Sequence, residues 1–137
     1  CGFWNTQPLS RAKGSWTFMD HSRAGVMIDR PDKQGYVNFV ELGGGRLGYD
    51  YAAGSTAGYA YYWYIYDTRQ LGQVARGVRK PSDVAPYLIH RDRMVGRLVT
   101  GACFDASKRK LYVIKMQSYK PGFESEPLVH VYHIRKG

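Results

Sequence analysis

The sequence predicts an all-β chain of antiparallel meanders with one short helix, and three observations carry that reading. The stretch Tyr59-Ala60-Tyr61-Tyr62-Trp63-Tyr64-Ile65-Tyr66 is aromatic and β-branched, which suits a pleated, packed strand. Sixteen glycines, with recurrent Pro and Asp punctuation, cut the 137 residues into short runs, each of strand length. Two of those runs recur 76 residues further on.

Taken in order, Cys1 to Lys13 has no period, with Phe3 and Trp4 as core candidates, and Ser15-Trp16-Thr17-Phe18 reads as a short strand. Asp20-His21-Ser22-Arg23 reads as a polar loop. Gly25 to Ile28 and Tyr36 to Leu42 read as strands, joined by the turn-forming Arg30-Pro31-Asp32-Lys33-Gln34-Gly35 into an antiparallel hairpin. Gly43-Gly44-Gly45 breaks the second strand, Arg46 to Tyr51 resumes it briefly, and the small residues of 52–58 form an exposed loop. The aromatic stretch is a strand covered on both faces. Asp67 then suits an N-cap, Leu71 and Val74 are spaced i, i+3, and Gly77 suits the position after a helix end. Pro81 and Pro86 bar the helix from continuing. Tyr87 to His90 is a short strand and Arg91-Asp92-Arg93 a charged turn. Leu98 to Phe104 is a strand ending at Asp105, Ala106 to Arg109 a turn, and Lys110 to Met116 the next strand. A loop over 117–127 leads to the last strand, Leu128 to Ile134, whose alternation predicts cover on both faces.

The chain is long enough for one domain with a core. No run reaches the roughly 20 apolar residues of a membrane helix. The first residue is Cys1 rather than Met, as in a processed protein, a fragment, or a lipoprotein matured at an acylated cysteine. Cys103 lies in an apolar strand, where a buried free thiol is usual, and no Cys–His spacing makes a zinc site. The net charge of +9 suits nucleic acid, anionic glycans or acidic membranes. The basic residues are scattered, however, and the densest run, Lys108-Arg109-Lys110, reads as a hairpin tip. General solubility is the preferred reading, and nucleic acid ranks last among the partners.

Gly25-Val26-Met27-Ile28-Asp29 matches Gly101-Ala102-Cys103-Phe104-Asp105, and Tyr36-Val37 matches Tyr112-Val113 at the same 76-residue offset. Trp63-Tyr64-Ile65-Tyr66 matches Val129-His130-Val131-Tyr132 at an offset of 66. Repeated, turn-linked antiparallel units are the signature of stacked modules or propeller blades. The chain thus divides into blade one (about 15–66), a connector (67–97) and blade two (about 98–137).

From Trp16 to the C-terminus the chain resembles uncharacterised bacterial secreted β-propeller-like proteins. The residues that carry the likeness are Trp63 to Asp67, Leu71, Val74, Gly77, Pro81, Pro86-Tyr87, Gly101-Ala102 with Asp105, Leu111-Tyr112-Val113 and Val129 to Tyr132. Asp20 to Gly25 resembles the preceding blade. The resemblance implies about two β-propeller-type blades with the helix between them and a secreted or cell-envelope setting; it points to no particular reaction, and no cofactor is expected. A propeller closes with about four to eight blades. The resemblance therefore implies either the remaining blades of a longer chain, which is preferred, or identical chains closing a ring.

For function the leading expectation is a non-catalytic module binding a ligand or partner, with carbohydrate the expected class, through loops on one face. Arg46, Tyr49, Asp50 and Tyr51 would form that site, because rings stack on sugar faces while polar tips bond hydroxyls. Inter-blade packing is the commoner role of such tyrosines. Asp20, His21 and Arg23 are the second ligand-binding candidates. Asp20 and His21 are also the residues a polysaccharide-acting enzyme would use, although neighbours on an extended chain point to opposite faces. A hydrogen-bonded loop is the commoner outcome. Gly43-Gly44-Gly45-Arg46 lacks the ending of a phosphate loop. His130 and His133, three apart on a strand, face opposite sides and cannot share one metal. Asp29 and Asp105 read as turn residues.

Overall fold

The computed structural model describes residues 21–29, 34–43, 59–93, 98–119 and 126–135. The expected strand at Ser15–Phe18 and the segments Cys1–Lys13 and Arg46–Tyr51 lie outside them. The described chain runs β1 (His21–Asp29), β2 (Gln34–Gly43), β3 (Tyr59–Asp67), α1 (Thr68–Ala75), a 3-10 turn (Pro81–Asp83), β4 (Leu88–Asp92), β5 (Leu98–Asp105), β6 (Lys110–Tyr119) and β7 (Glu126–His133). The class is all-β. One antiparallel sheet has the order β1-β2-β3-β4, and a second has the order β5-β6-β7.

Strand β3 sits inside the larger sheet and is covered on both faces, as its sequence predicts. Trp63 and Ile65 join Phe39 and Val37 on one side. Tyr64 joins Val40 and Leu42 on the other. Helix α1 has the expected ends: the Asp67 carboxylate accepts from the Arg69 backbone N–H at 2.9 Å. At the other end Gly77 takes φ +72°, and the N–H groups of Gly77 and Val78 donate to the carbonyls of Val74 and Gln73. This is a Schellman stop, in which a left-handed residue lets the last orphan carbonyls be met. The turn Ala106–Arg109 follows Asp105, whose carboxylate accepts from Ser107 Oγ at 2.6 Å and the Lys108 N–H at 3.0 Å. The Ser107 hydroxyl, with the Lys108 N–H next, holds the Asp105 carboxyl below its usual range.

Several boundaries differ from the expectation. His21, Ser22 and Arg23 are not a loop but the start of β1, because each pairs or bulges against β2. Arg91 and Asp92 are not a turn but the end of β4, where Asp92 pairs Tyr61. Strand β6 continues to Tyr119, and β7 begins at Glu126. Cys103 is a free but exposed thiol, because it lies on the outer face of the second sheet. Val129 and Val131 on that same face are exposed too, so β7 is covered on one side only.

The first two strands of each sheet keep one register. Gly25↔Asn38, Val26↔Val37 and Met27↔Tyr36 recur as Gly101↔Ile114, Ala102↔Val113 and Cys103↔Tyr112. Each first strand bulges near its start, between Ser22 and Ala24 and between Val99 and Gly101. The third strands do not follow the sequence match. Val37 pairs Ile65, whereas Val113 pairs His130, so the true offset there is 65, not 66. A one-residue slip reverses every side chain, and Tyr66 and Tyr132 therefore occupy opposite faces of their sheets.

The two sheets share one core. Ile28, Val37, Phe39, Trp63 and Ile65 of the first pack with Val99, Leu111 and Val113 of the second. Trp63 lies edge-on to Phe39 (5.1 Å between centroids) and to Tyr132 (4.8 Å). Strands β1 and β5 approach each other most closely across the gap.

Candidate functional site

Two features outside ordinary packing stand out: a buried polar seam between the sheets and an apolar face turned outward.

The seam starts from the register of the first sheet. Pairing sets Glu41 beside Tyr61, and Tyr61 beside Asp92, so three polar side chains line up across β2, β3 and β4. The β1 bulge releases Arg23 to ion-pair with Glu41, and Tyr61 Oη stands 3.4 Å from the same carboxylate. Asp92 accepts from Trp63 Nε1 at 2.9 Å and ion-pairs with Lys115 Nζ of the second sheet at 2.6 Å. Glu41, Asp92 and Lys115 are all buried. A buried carboxylate is tolerable only when paired and hydrogen-bonded, and here Lys115 and Trp63 supply both. Arg23, Tyr61, Trp63, Asp92 and Val99 also line a small pocket at this end of the core.

His130 and Tyr132 share the inner face with Lys115, because they pair Val113 and Leu111. Their rings stack at 6.3 Å. Tyr132 Oη and His130 Nε2 are buried without a hydrogen-bond partner among the described residues. Burial, with the Asp92 charge second, pushes the Tyr132 phenol up to about 12. Burial also raises the Tyr66 phenol, with Tyr64 and Tyr36 adding to it.

The outward face belongs to the second sheet. Ile114 pairs Gly101 and Val129, while Tyr112 pairs Cys103 and Val131, so these six residues form one contiguous surface. Ile114 is 40 % exposed, Val129 57 % and Val131 53 %. The inner face of the same sheet carries Lys115, His130 and Tyr132. The second sheet thus turns an apolar set to solvent and a partly polar set to the core.

Of the site residues expected from the sequence, two fall within the described strands. His21 is exposed at the first position of β1, and Arg23 is engaged by Glu41. Asp20, Arg46, Tyr49, Asp50 and Tyr51 lie outside the described residues. His130 and His133 do face opposite sides of β7. Among the described residues, no three His, Cys, Asp or Glu side chains gather as metal ligands. No helix among them is long and apolar enough to cross a membrane.

Sequence reasoning missed Glu41, Asp92 and Lys115. Alternation along Lys110 to Met116 puts one lysine in each set, Lys110 with Tyr112, Ile114 and Met116, and Lys115 with Leu111 and Val113, so it does not mark Lys115 as buried. The signal that could have found Lys115 is an oppositely charged residue inside another strand, and Asp92 supplies it once it is read as strand.

No family model, curated protein or solved structure matches the chain.

Proposed function

We propose that this chain is a non-catalytic binding module whose working surface is the outer face of β5–β7. The observation that carries the reading is the apolar set Ile114, Val129 and Val131 exposed on that face, although the sheet already buries Val99, Leu111 and Val113 on its other face. A contiguous exposed apolar surface rimmed by polar groups is characteristic of an interaction site. The first sheet makes the contrast, because Val40, Leu42 and Tyr64 on its outer face are buried. The densest polar cluster, Glu41 with Arg23 and Asp92 with Lys115, is spent on joining strands and sheets. The partner this surface fits is a protein with a flat apolar patch and an acidic rim, complementary to a chain of net charge +9. The proposed setting, carried from the resemblance alone, is secreted or at the cell envelope.

For the finer architecture we infer a two-sheet sandwich. Val26 and Val37 meet Ala102 and Val113 in the core, and these are equivalent positions of the two hairpins. Blades related by rotation about a propeller axis would press unlike faces together. Like faces in one core favour a two-fold relation instead.

A photo-crosslinking residue at position 129, in the source cell, tests the binding reading, with exposed Val78 as control. A discrete protein adduct is expected from position 129 and not from 78. Ile114→Lys with Val129→Lys should then raise the purified partner's Kd at least about tenfold. No adduct, or an unchanged Kd, overturns the reading. Binding to a polysaccharide panel that depends on Tyr49 and Tyr51, and not on Val129, would instead assign the carbohydrate site expected at Arg46, Tyr49, Asp50 and Tyr51.

A further inference from the structure

An exposed strand edge offers unpaired N–H and C=O groups to any chain that can lie beside it, and proteins blunt such edges with bulges, charges, shortness or cover. Among the described strands, three of the four sheet edges are blunted. Strands β1 and β5 each carry a bulge and lie against one another. Strand β4 is five residues long and ends in Arg91-Asp92. Strand β7 is eight residues long, carries no bulge of its own, and has no Lys, Arg, Asp or Glu between Glu126 and Arg135.

The ladder fixes which of its groups face outward. The Ile134 N–H donates to the Arg109 carbonyl on the β6 side at 2.9 Å. Backbone groups alternate along an antiparallel strand, so Tyr132, His130 and Leu128 also turn to β6. Val129, Val131 and His133 turn to the edge that no described strand pairs. Pro127 belongs to the outward set and has no N–H to offer, the position where an edge strand tolerates proline.

We propose that β7 pairs antiparallel with β7 of a second copy of this chain, about a two-fold axis at Val131. That register sets Val131 opposite Val131 and Val129 opposite His133, and it matches outward N–H to outward C=O at all three residues. It leaves Pro127 outside the paired stretch. The outer apolar faces of both copies become one continuous six-stranded surface. The pairing does not depend on the binding function proposed above.

Light scattering on a sized column across a concentration series of the full chain tests the inference. A particle of twice 15.6 kDa is expected, dissociating on dilution. Val131→Pro removes an outward N–H and leaves the β6 ladder intact, and it should raise the dissociation constant at least about tenfold. Val131→Lys decides the matter should the proline variant misfold, because it sets two like charges face to face on an exposed surface. A monomer at every concentration, or a dimer that Val131→Lys leaves intact, overturns the proposal.

Discussion

Tyr132 shows how one residue's position between the sheets sets its chemistry. Its ring fills core space against Trp63, yet its hydroxyl has no partner among the described residues. A buried hydroxyl without a hydrogen bond loses its hydration for nothing, so Tyr132→Phe should be neutral or slightly stabilising at pH 7. The same burial keeps the phenol protonated: its pKa stands at about 12 against about 10 for an unfolded tyrosine. With the folded value raised, the unfolded state releases its proton first as pH rises. Stability is therefore intact below about pH 10 and falls between about pH 10 and 12. Urea melts at stepped alkaline pH should show that fall, and Tyr132→Phe should make it shallower without abolishing it, because Tyr66 is raised too. A variant that loses stability at pH 7, or that keeps the full alkaline slope, would contradict this account. None of it was legible in the sequence, where Tyr132 is one of twelve tyrosines. Its environment is created by β3 and β4, which lie far away along the chain.

At the scale of elements, the sequence was a good guide wherever the signal is local. Asp67 and Gly77 bracket α1 because capping and left-handed φ depend on a few adjacent residues. The hairpin β1–β2 and its counterpart β5–β6 follow from alternation and turn residues. The third-strand match failed because Trp63 to Tyr66 and Val129 to Tyr132 resemble each other in composition, while pairing with the preceding strand decides the face. The repeat also conceals a difference at its shared glycine. A Cβ on Gly25 would run into the Tyr36 ring, which lies across it. A Cβ on Gly101 would meet only Ile114 Cδ1, at an ordinary 3.6 Å. Gly25→Ala should therefore destabilise by about 1–3 kcal/mol through overpacking. Gly101→Ala should be tolerated, since alanine restricts the unfolded chain more than glycine does. Equal losses in paired denaturant melts would mean that the two hairpins are packed alike and that the aromatic cover over Gly25 is not what distinguishes them.

For the whole molecule, the decisive question is whether the sheets stand or fall together. Their hydrophobic contact is shared, and their one described inter-sheet ion pair, Asp92 with Lys115, sits in the seam where Trp63 also binds Asp92. Removing one member of a buried pair strands the other charge and costs about 3–5 kcal/mol, whereas replacing both by neutral groups costs much less. Lys115→Met should therefore be severe. Asp92→Asn combined with Lys115→Met should recover most of the loss, because asparagine still offers Trp63 an acceptor. Where the loss appears matters as much as its size. If like faces form one core, hydrogen exchange in Lys115→Met should accelerate equally at Phe39 in β2 and Val113 in β6, both buried in that core. If the sheets are energetically separate units, as stacked modules can be, the acceleration will stay within β5–β7. Equal acceleration would tie the fold's stability to a lysine that alternation alone does not mark as buried, and to the charge that the second sheet keeps inward while its apolar set faces solvent.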